Sequence, residues 1–225
     1  MRFRLVSAAM IAATLCLSLS AHAATVGWTD WTSATTGANG SAAGTLVFGS
    51  TSVAVTYTGD VTFAQLGSGI NYFNPATAYL NGPVTNAPPA AEMIALSRNT
   101  GQALNTITFS QPVSNPVMAI VSLGQSSLPV YYSFNAPFDV ISVGQGYWGN
   151  GTLTELAGNV LEGKEGHGLI QFNGTFSSIS WSVSPSEYWH GITVGAEGVA
   201  IPLPGAAWAG LGLMGAVAVR KLRRR

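Results

Sequence analysis

Along most of the chain apolar and polar residues alternate, the spacing that turns every second side chain of a strand toward a core. The alternation predicts twelve short strands, over 45–48, 52–57, 61–64, 93–96, 106–110, 118–123, 130–134, 138–143, 152–156, 169–172, 176–183 and 191–194. Turn formers separate them: Thr58-Gly59-Asp60, Asn135-Ala136-Pro137, Asn150-Gly151 and Asn173-Gly174 each suit a tight reversal. Between 24 and 200 no apolar stripe recurs every 3.6 residues, so the expected class is all-β. Many short strands divided by Gly, Asn and Pro predict an antiparallel β-sandwich of the jelly-roll kind. Residues 66–90, rich in Gly, Asn and Pro, read as a long excursion over the surface. No fixed-period repeat is visible, which argues against a solenoid.

The alternation stops at both ends. Met1-Arg2-Phe3-Arg4 is a positive start, 5–19 is an uncharged and mostly apolar run, and Ala21-His22-Ala23 is a small-x-small site that signal peptidase accepts. Cleavage is expected between Ala23 and Ala24. The run is too short for a permanent span, which needs about 20 apolar residues. Cys16, the single cysteine, lies in this leader behind Leu15, where a lipoprotein signal needs a small residue. The remaining chain has no cysteine, so it must fold without disulfides.

At the other end Ile201-Pro202-Leu203-Pro204-Gly205 leads into an uncharged stretch, closed by Arg220-Lys221-Leu222-Arg223-Arg224-Arg225. Pro202 and Pro204 set the start of a helix. From 203 to 219 it would measure about 25 Å, just under a ~30 Å hydrocarbon core, so a single transmembrane helix over 205–219 spans if its basic side chains snorkel. The basic tail stays cytoplasmic and everything before Ile201 is outside.

This end closely resembles the PEP-CTERM sorting signal in its Pro-Leu-Pro variant. The resemblance implies that an exosortase recognises Ile201, Pro202, Leu203 and Pro204 and processes the chain there, with Arg220, Lys221, Arg223, Arg224 and Arg225 as the basic stop. Leu203 stands where Glu is commonest and Ile201 where Val is usual, departures that bear on the enzyme subtype. Leu203-Pro204-Gly205-Ala206-Ala207 lacks the Thr-Gly of a Gram-positive sortase site. A plain C-terminal anchor is the competing reading. The organisation expected is a signal peptide (1–23), a β-sandwich ectodomain (24–200) and a sorting segment (201–225). The protein would be exported across the inner membrane, anchored before sorting, then displayed at the cell surface or released.

Seven of the nine basic residues belong to these ends, leaving Arg98 and Lys164 in 24–200 against all nine carboxylates. The exported part is therefore about seven units negative, without the basic patch that nucleic acid requires.

Few motifs carry chemistry. Gly144-Gln145-Gly146-Tyr147-Trp148-Gly149 has dinucleotide-fingerprint spacing, but a turn and strand follow where the pyrophosphate needs a helix N-terminus. Glu155, Glu162 and Glu165 form an acidic cluster in which Glu162 and Glu165 are the candidates for calcium. A zinc site would need His167 and His190 plus Glu165 or Glu187. There is no nucleophile elbow and no evident base–nucleophile pair. Aromatic pairs at Trp28/Trp31, Tyr131/Tyr132, Tyr147/Trp148 and Tyr188/Trp189 either fill the core or offer flat rings to sugars. Trp148, Glu165, His167, Trp189 and His190 are the ligand candidates. Thr-x-Thr pairs at 56/58, 106/108 and 152/154 are irregularly spaced, and alternation accounts for them.

A second resemblance runs through the middle. Trp28-Thr-Asp-Trp31-Thr-Ser, Val55-Thr-Tyr57-Thr-Gly59, Ile107-Thr-Phe109-Ser-Gln-Pro112-Val, Ile120-Val-Ser-Leu-Gly124-Gln, Glu165-Gly-His167-Gly and Ile179-Ser-Trp181 through Trp189-His190-Gly191 are similar to a recurrent ectodomain of PEP-CTERM proteins. It implies a shared fold and surface destination and no catalytic residues. The expected function is a non-enzymatic structural or adhesive role in envelope, extracellular matrix or biofilm, without a required cofactor and with polysaccharide as a partner. The alternative is a carbohydrate-binding module, recognisable by Trp148 and Trp189 facing solvent on one surface.

Overall fold

A computed structural model describes residues 25–80, 82–97 and 104–200. The leader, with its cleavage site at Ala21, Ala23 and Ala24, lies outside them, as does the sorting segment with its transmembrane helix. Among the described residues no helix is long and apolar enough to cross a membrane.

Sixteen strands follow one another among the described residues: β1 Gly27–Trp28, β2 Asp30–Thr35, β3 Gly37–Phe48, β4 Thr51–Val61, β5 Phe63–Leu66, β6 Glu92–Leu96, β7 Asn105–Ser114 and β8 Val117–Leu123 form the first half. β9 Val130–Phe134, β10 Asp139–Val143, β11 Thr152–Leu156, β12 Val160–Lys164, β13 Gly166–Gln171, β14 Thr175–Ser184, β15 His190–Ala196 and β16 Gly198–Val199 form the second. One 3₁₀ turn, Ala76–Tyr79, interrupts the long β5–β6 link. The strands make two antiparallel sheets, as the alternation predicts. One runs β10-β13-β8-β15-β6-β5 with β1 beside β15; the other runs β11-β12-β9-β14-β7-β4-β3-β2 with β16 beside β7. From β6 to β9, and again from β12 to β15, the chain changes sheet at every step, so that β15 lies between β6 and β8, and β14 between β7 and β9.

The main core lies between the sheets. Ile94, Met118, Ile120, Ile170 and Ile192 come from the first; Leu46, Val55, Tyr57, Ile107, Tyr132 and Trp181 come from the second. The second sheet shows period-2 burial, its outward positions carrying Thr and Ser. Two of the Thr-x-Thr pairs meet there in register, Thr56 opposite Thr108 and Thr58 opposite Thr106, a regularity that spacing along the chain does not reveal.

The first sheet departs from alternation, since β6, β8, β13 and β15 are buried at every position. The 66–90 excursion explains this, for it lies on that sheet's outer face and closes a second core. Phe73, Ala78, Tyr79 and Val84 pack on Met93, Ala95, Val117, Ala119, Val121 and Leu169. Polar contacts pin it: Tyr79 Oη donates to Ile120 O (3.2 Å), Ser142 Oγ to Ala78 O (2.5 Å), and Asn86 bonds both N and O of Val26 (2.8 Å each). Glycines admit the close layers, as a Cβ at position 191 would lie 2.3 Å from Met93 Sδ.

Candidate functional site

β8, β10 and β12 end, and β13 and β15 begin, at one end of the sandwich. A cleft of about 340 Å³ opens there. Its floor is the end of β8 and the residues after it, with Ser122, Gly124 and Gln125; Trp148 from the β10–β11 loop and Tyr188 and Trp189 from the β14–β15 link form its walls. Glu165, between β12 and β13, and Glu187 complete the lining.

The aromatic wall is held in place yet accessible. Trp189 packs edge-on to Phe63 (5.4 Å) and Tyr72 (5.2 Å), and Tyr72 stacks on Trp148 with centroids 6.5 Å apart. Tyr147 braces Trp148 from the side at 4.9 Å. Trp148 nonetheless keeps 54% of its surface exposed and Tyr188 80%, unusual for large rings in a well-packed domain. The other aromatic pairs divide: Trp31 and Tyr132 fill the main core, while Trp28 is half-buried and Tyr131 sits on the outer face, bonded to Glu162.

The two cleft carboxylates are anchored two residues apart on the same stretch of chain. Ser122 Oγ donates to Glu165 Oε1 in a short contact, and Gly124 N donates to Glu187 Oε1 at 3.0 Å. Each is backed by a fully buried histidine. His167 Nε2 lies 3.9 Å from Glu165 Oε1. His190 Nδ1 lies 2.6 Å from Glu187 Oε1, but at an angle too sharp for a straight hydrogen bond. His167 Nδ1 accepts Ser122 N–H at 3.3 Å, and burial pushes this imidazole down to a pKa of about 4. With Nδ1 as acceptor, the neutral ring carries its proton on Nε2, which has no hydrogen-bond partner.

Local backbone irregularity produces this arrangement. The β13–β8 register shifts between Gly166 and Gly168, where β8 carries an extra residue, so Val121 and Ser122 bulge opposite His167 in a manner that re-aims side chains. Ser122 and Glu165 both have φ of +56°, a region such residues rarely adopt.

The glycines of the 144–149 motif serve packing, not phosphate. A Cβ at Gly146 would lie 2.1 Å from His167 Cγ, and one at Gly151 would lie 1.9 Å from Lys164 O, so the loop carrying Trp148 must lie flat over β13. β11 follows it directly.

Of the five ligand candidates, Trp148, Glu165 and Trp189 line one cleft, while His167 and His190 stand behind its carboxylates, each with its own glutamate. Glu162 is directed elsewhere: it pairs with Lys164 at 2.8 Å and accepts Tyr131 Oη at 3.1 Å, and the Lys164 hydrogen bond lowers its carboxyl pKa. Glu155 is exposed on β11. Among the described residues no group of three His, Cys, Asp or Glu side chains could hold a metal ion. Sequence reading missed Ser122, Gly124 and Tyr72. A signal for Tyr72 was present, because two adjacent aromatics in a Gly/Asn/Pro-rich stretch need something to pack on.

Comparisons with protein-family models, with curated proteins and with solved structures return no match.

Proposed function

We propose that this chain is an exported, non-catalytic surface protein whose ectodomain binds polysaccharide in the Trp148 cleft. On this reading signal peptidase removes 1–23, the 205–219 helix holds the chain in the membrane, and an exosortase processes it at 201–204 for the cell surface or extracellular matrix. The ectodomain is a jelly roll. Its interleaved order, β6-β15-β8-β13 against β7-β14-β9-β12, supports that finer description of the sandwich.

The observation that carries the binding role is the braced but exposed Trp148 ring beside Trp189, Tyr188 and two anchored carboxylates. A flat ring covers the apolar face of a sugar while carboxylates take its polar edge. The non-catalytic reading rests on geometry. It is supported by His167, which is enclosed with its Nδ1 accepting Ser122 N–H and so is not poised to take the Ser122 Oγ proton, which goes to Glu165.

Two measurements test this. Trp148→Ala should abolish glycan binding by the purified protein without altering its circular dichroism, and no glycan or ester should be turned over; hydrolysis lost in Glu165→Gln would make the protein an enzyme. The intact mass in the native host should run from Ala24 to the Pro202–Pro204 region, dependent on an exosortase. A membrane species retaining Arg225 would reduce the end to a plain anchor.

A further inference from the structure

Glu165 and Glu187 are each held by one oxygen only. Among the described residues, no donor bonds to Oε2 of either carboxylate. No Lys or Arg of those residues lines the cleft, and Lys164 is engaged by Glu162. The buried His167 Nε2, without a hydrogen-bond partner, lies 3.9 Å from the anchored oxygen of Glu165, a residue that lines the cleft. An aromatic wall thus stands beside a part-exposed Glu165 and a nearly buried Glu187 that rests against His190, with no Lys or Arg of the described residues to compensate them.

Resting on the saccharide reading above, we infer that the cleft takes a cationic amino saccharide, a glycan with unacetylated amines. Its sugar face lies on Trp148 and its ammonium on the part-exposed Glu165, with the nearly buried Glu187 adding negative charge behind. An ammonium brings three donors and no acceptor, matching open carboxylate oxygens with charge-assisted hydrogen bonds. The exposed rings add cation–π attraction, and the negative ectodomain draws in a polycation. A uronate would place like charges together where nothing neutralises them, and an N-acetyl group would remove the cation while adding bulk.

The test uses the detergent-solubilised full chain, reading tryptophan fluorescence against three oligosaccharides of equal length: glucosamine, N-acetylglucosamine and galacturonate. The glucosamine oligomer should bind tighter than its acetylated form by about tenfold or more, the worth of one charge-assisted hydrogen bond. Its affinity should fall as salt is raised, and the uronate should not bind. Glu165→Gln should bring the charged and acetylated oligomers near parity, while Trp148→Ala weakens both. If the Gln variant fails to fold, the ligand comparison and salt dependence of the unaltered protein decide. Equal binding of charged and neutral sugars, lost in Trp148→Ala, would overturn the charge inference and leave the saccharide reading standing. Binding of none would overturn both. A lysine oligomer that binds equally well, with or without Trp148, would show charge attraction alone and also overturn the inference.

Discussion

Acid should weaken this fold through one residue. His167 is fully enclosed, its Nδ1 accepts Ser122 N–H, and burial holds its pKa near 4 where an unfolded chain has 6.5. Protonation is therefore easier in the unfolded chain, so the unfolded state binds more protons between those values. Above pH 6.5 nothing is lost; as pH falls from 6.5 to 4 the folded state forfeits about 3 kcal/mol, at 1.36 kcal/mol per pH unit, and below 4 the loss levels off. Asp60 and Glu92 act in the opposite sense. Burial raises both carboxyls, so each favours the folded state at low pH and loses that contribution as pH rises through its folded value.

The clean assay is thus a difference. Urea unfolding of the wild-type protein and of His167→Gln, run from neutral pH to pH about 4, cancels the shared carboxylates. The wild type's stability relative to the variant should fall by about 3 kcal/mol across that range. Glu165 is the nearest charge to His167 and attracts a proton onto the ring. A fall of under about 1 kcal/mol would mean that this attraction, not burial, governs His167, and would refute the neutral, enclosed histidine.

Other consequences follow from the same contacts. Gly146→Ala should cost about 3 kcal/mol or prevent folding, because its Cβ meets the immobile His167 ring, and differential scanning fluorimetry would show the lowered Tm. Tyr79→Ala should cost about 3–5 kcal/mol although it lies on the outer face of a sheet, and urea midpoints of wild type and variant measure it; a loss below about 1 kcal/mol would mean the second core is not closed in solution. Ser122→Gly frees a +56° φ but removes the donor to Glu165, so stability should stay within about 1 kcal/mol while glycan affinity falls; calorimetry of unfolding and of binding separates the two.

The fold was largely legible because most of it obeys period 2. The 130–134 and 152–156 strands agree with the structure residue for residue, and most others are too short by a few residues at their ends. What escaped has physical reasons. Apart from Asp30, Trp31 and Asn39, β2 and the first half of β3 are written in Ala, Gly, Ser and Thr, which leave little apolar contrast. β12 hides behind Gly163, where a Cβ would lie 2.5 Å from Leu123 Cγ. The predicted 61–64 strand splits, with Val61 ending β4 and Phe63 opening β5 in the other sheet. The 66–90 excursion read as surface because its glycines, asparagines and prolines outnumber Phe73, Tyr79 and Val84, which do the burying.

The cleft was legible as residue types and not as a place. Trp148, Glu165 and Trp189 belong to three different links, and only antiparallel pairing of β10, β13, β8 and β15 in that order brings those links to one end. Backbone strain marks the same end. Among the described residues four non-glycine positions have positive φ; Asn115 and Asn159 tolerate it readily, but Ser122 and Glu165 do not, and such positions cost on the order of 1–3 kcal/mol each. A regular β8–β13 ladder would have avoided this cost. Instead β8 carries an extra residue opposite His167, and the two strained residues bond to each other at the cleft floor. Stability alone would not favour that geometry, whereas a site that must hold a carboxylate in a fixed direction would.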